Sequence, residues 1–158
     1  MLEVVSSLAG LLEGKGMMMT SAESCTGGWI AQEVTAIPGS SAWFDCGFVT
    51  YSNMSKQKML GVSKDTLEQC GAVSAEVVAQ MAEGALENSE AHISVATSGI
   101  AGPGGGSKEK PVGTVWFAWA EQGKSVKTKK YCFEGDRESV RKQAVSVALE
   151  GILQNLSD

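Results

Sequence analysis

The sequence predicts an α/β fold: a three-layer α/β/α sandwich with a mixed, mostly parallel sheet and a late antiparallel hairpin. Three observations carry it. Apolar stretches of strand character alternate with segments of helical periodicity over the first part of the chain, the pattern of parallel strands joined by helical crossovers. Residues 17–22 and 93–98 read as buried strands, so helices are expected on both faces of the sheet. Later, residues 112–121 and 125–133 flank Gln122-Gly123-Lys124, which reads as a hairpin.

The elements follow in order. Leu2, Val5, Leu8, Leu11 and Leu12 stand at helical spacing, and that helix runs out at Gly14-Lys15-Gly16. After the first buried strand, Ser24 or Thr26 can cap a helix carrying Trp29, Ile30 and Val34 until Pro38-Gly39 stops it. Residues 42–51 form an aromatic-rich strand, and residues 55–60 and 64–70 two short helices separated at Gly61. Ser74 opens a longer helix with Val77, Val78, Met81, Ala82, Ala85 and Leu86 on one face. The second buried strand then runs into glycine. Residues 99–106 are too glycine-rich for regular structure, and residues 107–111 prolong them as a charged loop. After the hairpin, Asp136 caps a closing amphipathic helix over residues 137–156.

Composition sets the class. A chain of 158 residues, 43% hydrophobic and 20% charged, is expected to form one globular domain over residues 1–158. The net charge of -5 argues against nucleic acid as a partner. No apolar run approaches a membrane span and the start carries no basic leader, so a cytoplasmic protein without a membrane partner is expected. Cys25, Cys46, Cys70 and Cys132 are scattered without a C-x-x-C pair, so reduced thiols are expected, with neither disulfides nor a metal site.

The usual catalytic signatures are missing. The single histidine, His92, sits at the start of a strand outside any polar cluster, which speaks against a Ser-His-Asp site. There is no G-x-S-x-G elbow, no Walker loop and no intact G-x-G-x-x-G. What remains are small polar residues at strand ends, where an open α/β sheet builds its crevice. Ser24 would stand at a helix start, where backbone N–H groups of Cys25, Thr26 and Gly27 could hold an oxyanion. Taken alone, the segment favours a plain helix cap for Ser24, and Cys25 is an alternative nucleophile. Lys56 could serve Ser24 as a base if desolvated, with Tyr51 carrying a proton or orienting the amine, although a solvated lysine beside a strand-end tyrosine is the commoner arrangement. Around the glycine loop, backbone N–H groups could nest a phosphate, and Arg137 and Arg141, one helical turn apart, could pair with it.

Together, three segments resemble the CinA C-terminal domain family: Ser21-Ala22-Glu23-Ser24-Cys25-Thr26-Gly27-Gly28; Gly47-Phe48-Val49-Thr50-Tyr51-Ser52-Asn53 with Lys56; and Ser98-Gly99-Ile100-Ala101-Gly102-Pro103-Gly104-Gly105-Gly106. The match continues through Lys110-Pro111-Val112-Gly113-Thr114-Val115 to Gly135-Asp136-Arg137, and is strongest to the family's stand-alone nicotinamide-nucleotide amidohydrolases. The usual Thr before Ala22 is Ser21 here. The resemblance implies hydrolysis of nicotinamide mononucleotide to nicotinate mononucleotide and ammonia, without metal or cofactor. It reverses the preference for a cap: Ser24 matches the nucleophile, and Tyr51 and Lys56 match the residues assisting it. The expected substrate contacts are Cys25, Thr26, Gly27, Gly28, Ser98, Gly99, Gly102, Gly104, Gly105, Arg137 and Arg141. The family's N-terminal domain has no counterpart among these residues, so its activities are expected to be absent. A homodimer is the expected assembly. Glu23 acquires no role.

Overall fold

A computed structural model describes residues 1–158. Four of its five strands run the same way, in the order β2-β1-β3-β4-β5, with β4 antiparallel to both of its neighbours. The strands are β1 (Met19–Glu23), β2 (Phe44–Val49), β3 (Ile93–Gly99), β4 (Thr114–Glu121) and β5 (Lys127–Cys132). The helices are α1 (Leu2–Lys15), α2 (Trp29–Thr35), α3 (Asn53–Leu60), α4 (Lys64–Cys70), α5 (Ala75–Glu87) and α6 (Arg137–Ser157).

Side-chain alternation along the strands divides the interior into two cores. On one face, Ile93 and Val95 of β3 with Val115, Phe117 and Trp119 of β4 meet Val5, Leu8 and Leu12 of α1, Ile30 of α2 and Leu149 and Ile152 of α6. On the other, Ala22, Ala96, Ala118 and Ala120 present a surface of small side chains to Val77, Val78, Met81 and Ala85 of α5, with Leu60 and Leu67 behind. Small sheet residues let α5 approach closely. The outer strand β5 is guarded by exposed Lys127, Lys129 and Lys130, which discourage edge pairing.

The expected α/β/α architecture and late hairpin are therefore present, with shifts at element ends. The strand expected over 42–51 is shorter, because Ser40–Ala42 forms a 3-10 turn and Thr50 leaves the sheet. Helix α3 starts before residue 55, since the Ser52 side chain caps it by accepting from the Ser55 N–H at 3.1 Å. Helix α2 differs most. Neither Ser24 nor Thr26 caps it: the chain makes a turn through Gly27 and Gly28, with φ of 60° and 98°, and the helix begins at Trp29.

Candidate active site

Two oppositely directed connections leave the carboxyl end of β1 open. The β1–α2–β2 connection lies on one face, and the β2–α3–α4–α5–β3 connection crosses back on the other to place β3 on the far side of β1. A crevice outside the strand ends is the result. Ser24 stands there, one residue past β1, its N–H donating to the Thr97 carbonyl of β3 at 3.0 Å. On the other side the Thr50 N–H donates to the Glu23 carbonyl at 2.9 Å, so the parallel ladders end around Ser24.

Glu23 explains how the turn is held. Its side chain is fully buried and its Oε1 accepts from the Thr26 hydroxyl at 2.7 Å and the Ile30 N–H at 2.9 Å. Oε2 accepts from the Ala31 N–H at 3.1 Å. The carboxylate therefore satisfies the first N–H groups of α2, work that sequence reasoning had given to Ser24 or Thr26. Thr26 also shares a 2.9 Å hydrogen bond with the Thr97 hydroxyl. From α6, Arg141 donates to the carbonyls of Cys25 at 3.0 Å and Thr26 at 3.2 Å.

With α2 capped elsewhere, the Ser24 hydroxyl is free for another partner. Lys56 of α3 reaches it: Nζ lies 3.0 Å from Ser24 Oγ and donates to the Thr50 carbonyl at 2.8 Å and the Tyr51 carbonyl at 3.3 Å. Lys56 is only 1% exposed, and no carboxylate pairs with it. Desolvation of the ammonium pulls its pKa below the ordinary 10.5. Nζ donates to all three oxygens around it, the two carbonyls and the Ser24 hydroxyl, so taking the Ser24 proton requires the neutral form that desolvation favours. The neighbouring Cys25 behaves oppositely. Burial pushes its thiol up to about 12, so a thiolate nucleophile there is disfavoured.

The cavity beside this pair has a volume of about 280 Å³ and is lined by Ser24, Cys25, Tyr51, Lys56, Ser98, Gly99, Gly102, Gly104, Gly105 and Arg137. Asn53, Ala72, Val73, Ile100 and Ala101 complete it. Of these, Asn53 left a trace in the sequence as part of the polar cluster around Tyr51, and Ile100 and Ala101 as part of the glycine loop; Ala72 and Val73 carry no chemical signal. Ser98 is 1% exposed and its hydroxyl makes no hydrogen bond within the protein. The backbone N–H groups of Ala101, Gly102, Gly104, Gly105 and Gly106 likewise meet no acceptor in the protein, which leaves them for an anion.

Several sequence expectations change here. Thr26, Gly27, Gly28 and Arg141 do not line the cavity, because Thr26 is tied to Glu23 and Thr97 while Arg141 is spent on carbonyls. The Gly27 N–H closes the turn on the Ser24 carbonyl at 3.0 Å and is not free for an oxyanion. The Tyr51 phenol, 62% exposed, hydrogen-bonds neither Ser24 nor Lys56; it accepts from Arg137 Nη2 at 3.1 Å. Arg137 Nη1 donates to the Gly102 carbonyl at 2.8 Å, so this exposed arginine bridges the glycine loop and Tyr51 at the cavity mouth. His92 lies at the other end of β3, roughly 20 Å away at strand rise, and its Nδ1 accepts from the Met18 N–H at 2.9 Å. No group of His, Cys, Asp and Glu side chains is arranged to hold a metal ion, and no helix is long and apolar enough to cross a membrane.

Fold and cavity together define an open α/β protein with its ligand crevice at the switch point of a mostly parallel sheet. The chain belongs to the CinA C-terminal domain family, whose model matches residues 2–156. It is 52% identical to the nicotinamide-nucleotide amidohydrolase PncC of Escherichia coli K12 over 154 residues, 98% of this chain and 93% of that protein. The protein of the same name from Pseudomonas putida is 56% identical over 136 residues, 86% of this chain and 84% of its own length. Among solved structures, the competence/damage inducible protein CihA of Agrobacterium tumefaciens superposes with a TM-score of 0.95 at 45% identity, covering 99% of this chain and 95% of that one.

Proposed function

We propose that this chain hydrolyses the carboxamide of nicotinamide mononucleotide, giving nicotinate mononucleotide and ammonia, with Ser24 as nucleophile and Lys56 as base. The observation that carries the reading is the buried, carboxylate-free Lys56 amine 3.0 Å from Ser24 Oγ at the crevice. The names of the E. coli and P. putida relatives supply the substrate.

The Lys56 lone pair takes the Ser24 proton as Oγ bonds to the carboxamide carbon, and the carbonyl oxygen becomes an oxyanion. Collapse of the tetrahedral adduct breaks the C–N bond, and the departing nitrogen receives that proton from Lys56 and leaves as ammonia. Water, deprotonated by the same amine, then attacks the nicotinoyl ester, restoring Ser24 and releasing the carboxylic acid. The free N–H groups of the glycine loop, with Arg137, hold the 5′-phosphate. Tyr51 assists from the mouth of the cavity, where its phenol orients Arg137 and its carbonyl helps to hold Lys56. The same reading takes residues 1–158 as one amidohydrolase domain, cytoplasmic and homodimeric.

An ammonia-release assay with nicotinamide mononucleotide, nicotinamide riboside and NAD, with and without a chelator, tests it. The mononucleotide is expected to be hydrolysed fastest, chelator to have no effect, and Ser24→Ala to abolish release. Near-normal turnover by Ser24→Ala overturns the mechanism; tight nucleotide binding without ammonia makes the chain a binding module instead.

A further inference from the structure

We infer that Lys110 is a positioning residue for the cavity, clasping the glycine loop to the connection between α4 and α5 so that two of the cavity's walls keep a fixed spacing. Its Nζ donates to the Cys70 carbonyl at 2.8 Å, across 40 residues of chain. Cys70 is the last residue of α4, a helix with no basic residue in its own final turn. The ammonium therefore meets a carbonyl that the helix leaves unpaired, at the negative end of the helix dipole. Lys110 has no carboxylate partner that would draw it elsewhere. Gly71 turns the chain directly beside it: a Cβ there would stand 3.4 Å from Nζ.

The bond matters because of what lies on either side of it. Ala72 and Val73, just past Gly71, line the cavity, and so do Ile100 and Ala101 at the start of the glycine loop. These four are all the aliphatic side chains of the lining, so the surface against which the flat face of a substrate ring can lie comes from the two segments that Lys110 joins. On the loop side the lysine is tied to that surface. The Gly113 N–H donates to the Ile100 carbonyl at 2.7 Å, and Val112 packs so closely on Gly102 that a Cβ there would lie 2.5 Å from its Cγ1. The limb carrying the lysine is stiffened by a turn, with the Ser107 N–H donating to the Lys110 carbonyl at 2.8 Å and the Lys110 N–H to Ser107 Oγ at 3.0 Å. On the other side, Gly71, Ala72 and Val73 make no hydrogen bond beyond the adjoining residues of α4 and α5. Between Ala101 and Val112 the loop has one other bond to a distant element, from Arg137 to the Gly102 carbonyl at 2.8 Å. Arg137 holds the loop toward Tyr51, and Lys110 holds it to Cys70. Without the ammonium, the α4–α5 connection has no hydrogen bond to the loop.

The test compares Lys110→Met and Lys110→Arg with the wild type by two readouts, steady-state ammonia release and amide hydrogen exchange. In Lys110→Met, KM is expected to rise by about 10-fold, the lower end of what loss of a charge-assisted hydrogen bond does. The rise should be equal for nicotinamide mononucleotide and nicotinamide riboside, because the walls meet the ring and not the phosphate, and kcat should fall by less. Exchange should quicken in peptides covering residues 71–74 and 101–106 and stay slow in β1 and β3. Lys110→Arg, which keeps a cationic donor, should restore most of both. A KM rise confined to the mononucleotide would put the ammonium on the phosphate and overturn the proposal. So would unchanged KM or unchanged exchange in Lys110→Met, a Lys110→Arg protein no better than Lys110→Met, or exchange that quickens equally in β1 and β3. The kinetic readout rests on the amidohydrolase reading: if the wild type releases no ammonia, that reading fails, while exchange in the two segments still decides whether Lys110 clasps them.

Discussion

Lys56 Nζ lies 3.0 Å from Ser24 Oγ, and the two side chains, 1% and 8% exposed, meet where water barely reaches. Groups that act as a unit are not additive when removed. Lys56→Met is therefore expected to slow ammonia release by about 10²–10⁴-fold, the range for loss of a general base. Ser24→Ala should cost at least as much, and the double variant no more than Ser24→Ala alone. Measured kcat for the three variants checks this; multiplicative losses would mean that the two residues work separately.

The pH dependence follows from burial. Lys56 has its pKa lowered from 10.5 because desolvation penalises the ammonium. Between the folded-state pKa and 10.5 the unfolded chain binds the extra proton, so stability rises with pH across that window. The neutral amine, the form able to accept the Ser24 proton, increases in the same direction. The rate kcat/KM is expected to climb with pH through a midpoint below 10.5, while Lys56→Met loses the limb and flattens the rise of the urea midpoint. A limb centred at 10.5 or above would contradict a desolvated base.

Much of this was legible in the sequence, and the rest fails for identifiable reasons. The β3 and α5 segments were readable because apolar spacing and a Ser74 cap agree with each other, and Ser74 does accept from the Val77 N–H at 3.3 Å. Ser24 and Lys56, 32 residues apart, were paired by the family resemblance, whereas their residue types alone favoured a helix cap and a solvated lysine, because the burial that brings Nζ to Oγ is made by the fold. Arg137 and Arg141 share a helix face, and nothing in their spacing says that one meets the cavity while the other meets carbonyls. That division is made by the turn at Cys25 and Thr26, whose carbonyls face α6. Glu23 was silent because the N–H groups of Ile30 and Ala31 are partners that any sequence would supply, and its side-chain partner, the Thr26 hydroxyl, reads from the sequence as a helix cap.

In the proposed reading Arg137 is the arginine left for the phosphate, since Arg141 does not line the cavity. Losing a charge-assisted contact to a phosphate should weaken binding by about 1.5–3 kcal/mol, roughly 10- to 100-fold in KM. Arg137→Met is expected to show that increase for nicotinamide mononucleotide and almost none for nicotinamide riboside, which lacks the phosphate. Tyr51→Phe, which removes only the 3.1 Å bond to Arg137, should give a smaller increase of the same kind. Steady-state kinetics on both substrates separates the cases, and equal KM changes for both would take Arg137 off the phosphate.

Helix α3 holds Lys56 in place partly through a glycine on another helix. A Cβ on the buried Gly84 of α5 would overlap the Leu60 carbonyl at the end of α3, so the two backbones touch only because that carbon is missing. Gly84→Ala forces them apart, and overpacking of this kind costs about 1–3 kcal/mol. Lys56 lies one helical turn before Leu60 and would move with it, so kcat should fall while KM changes little. Gly10 provides the opposite sign: it is exposed within α1, and nothing stands within 4 Å of its added Cβ. Gly10→Ala is expected to gain about 0.5–1 kcal/mol from helix propensity alone. Urea unfolding of both variants, with kcat measured in parallel, tests the pair; a Gly84→Ala protein as stable and as active as the wild type would show that α3 does not depend on this contact.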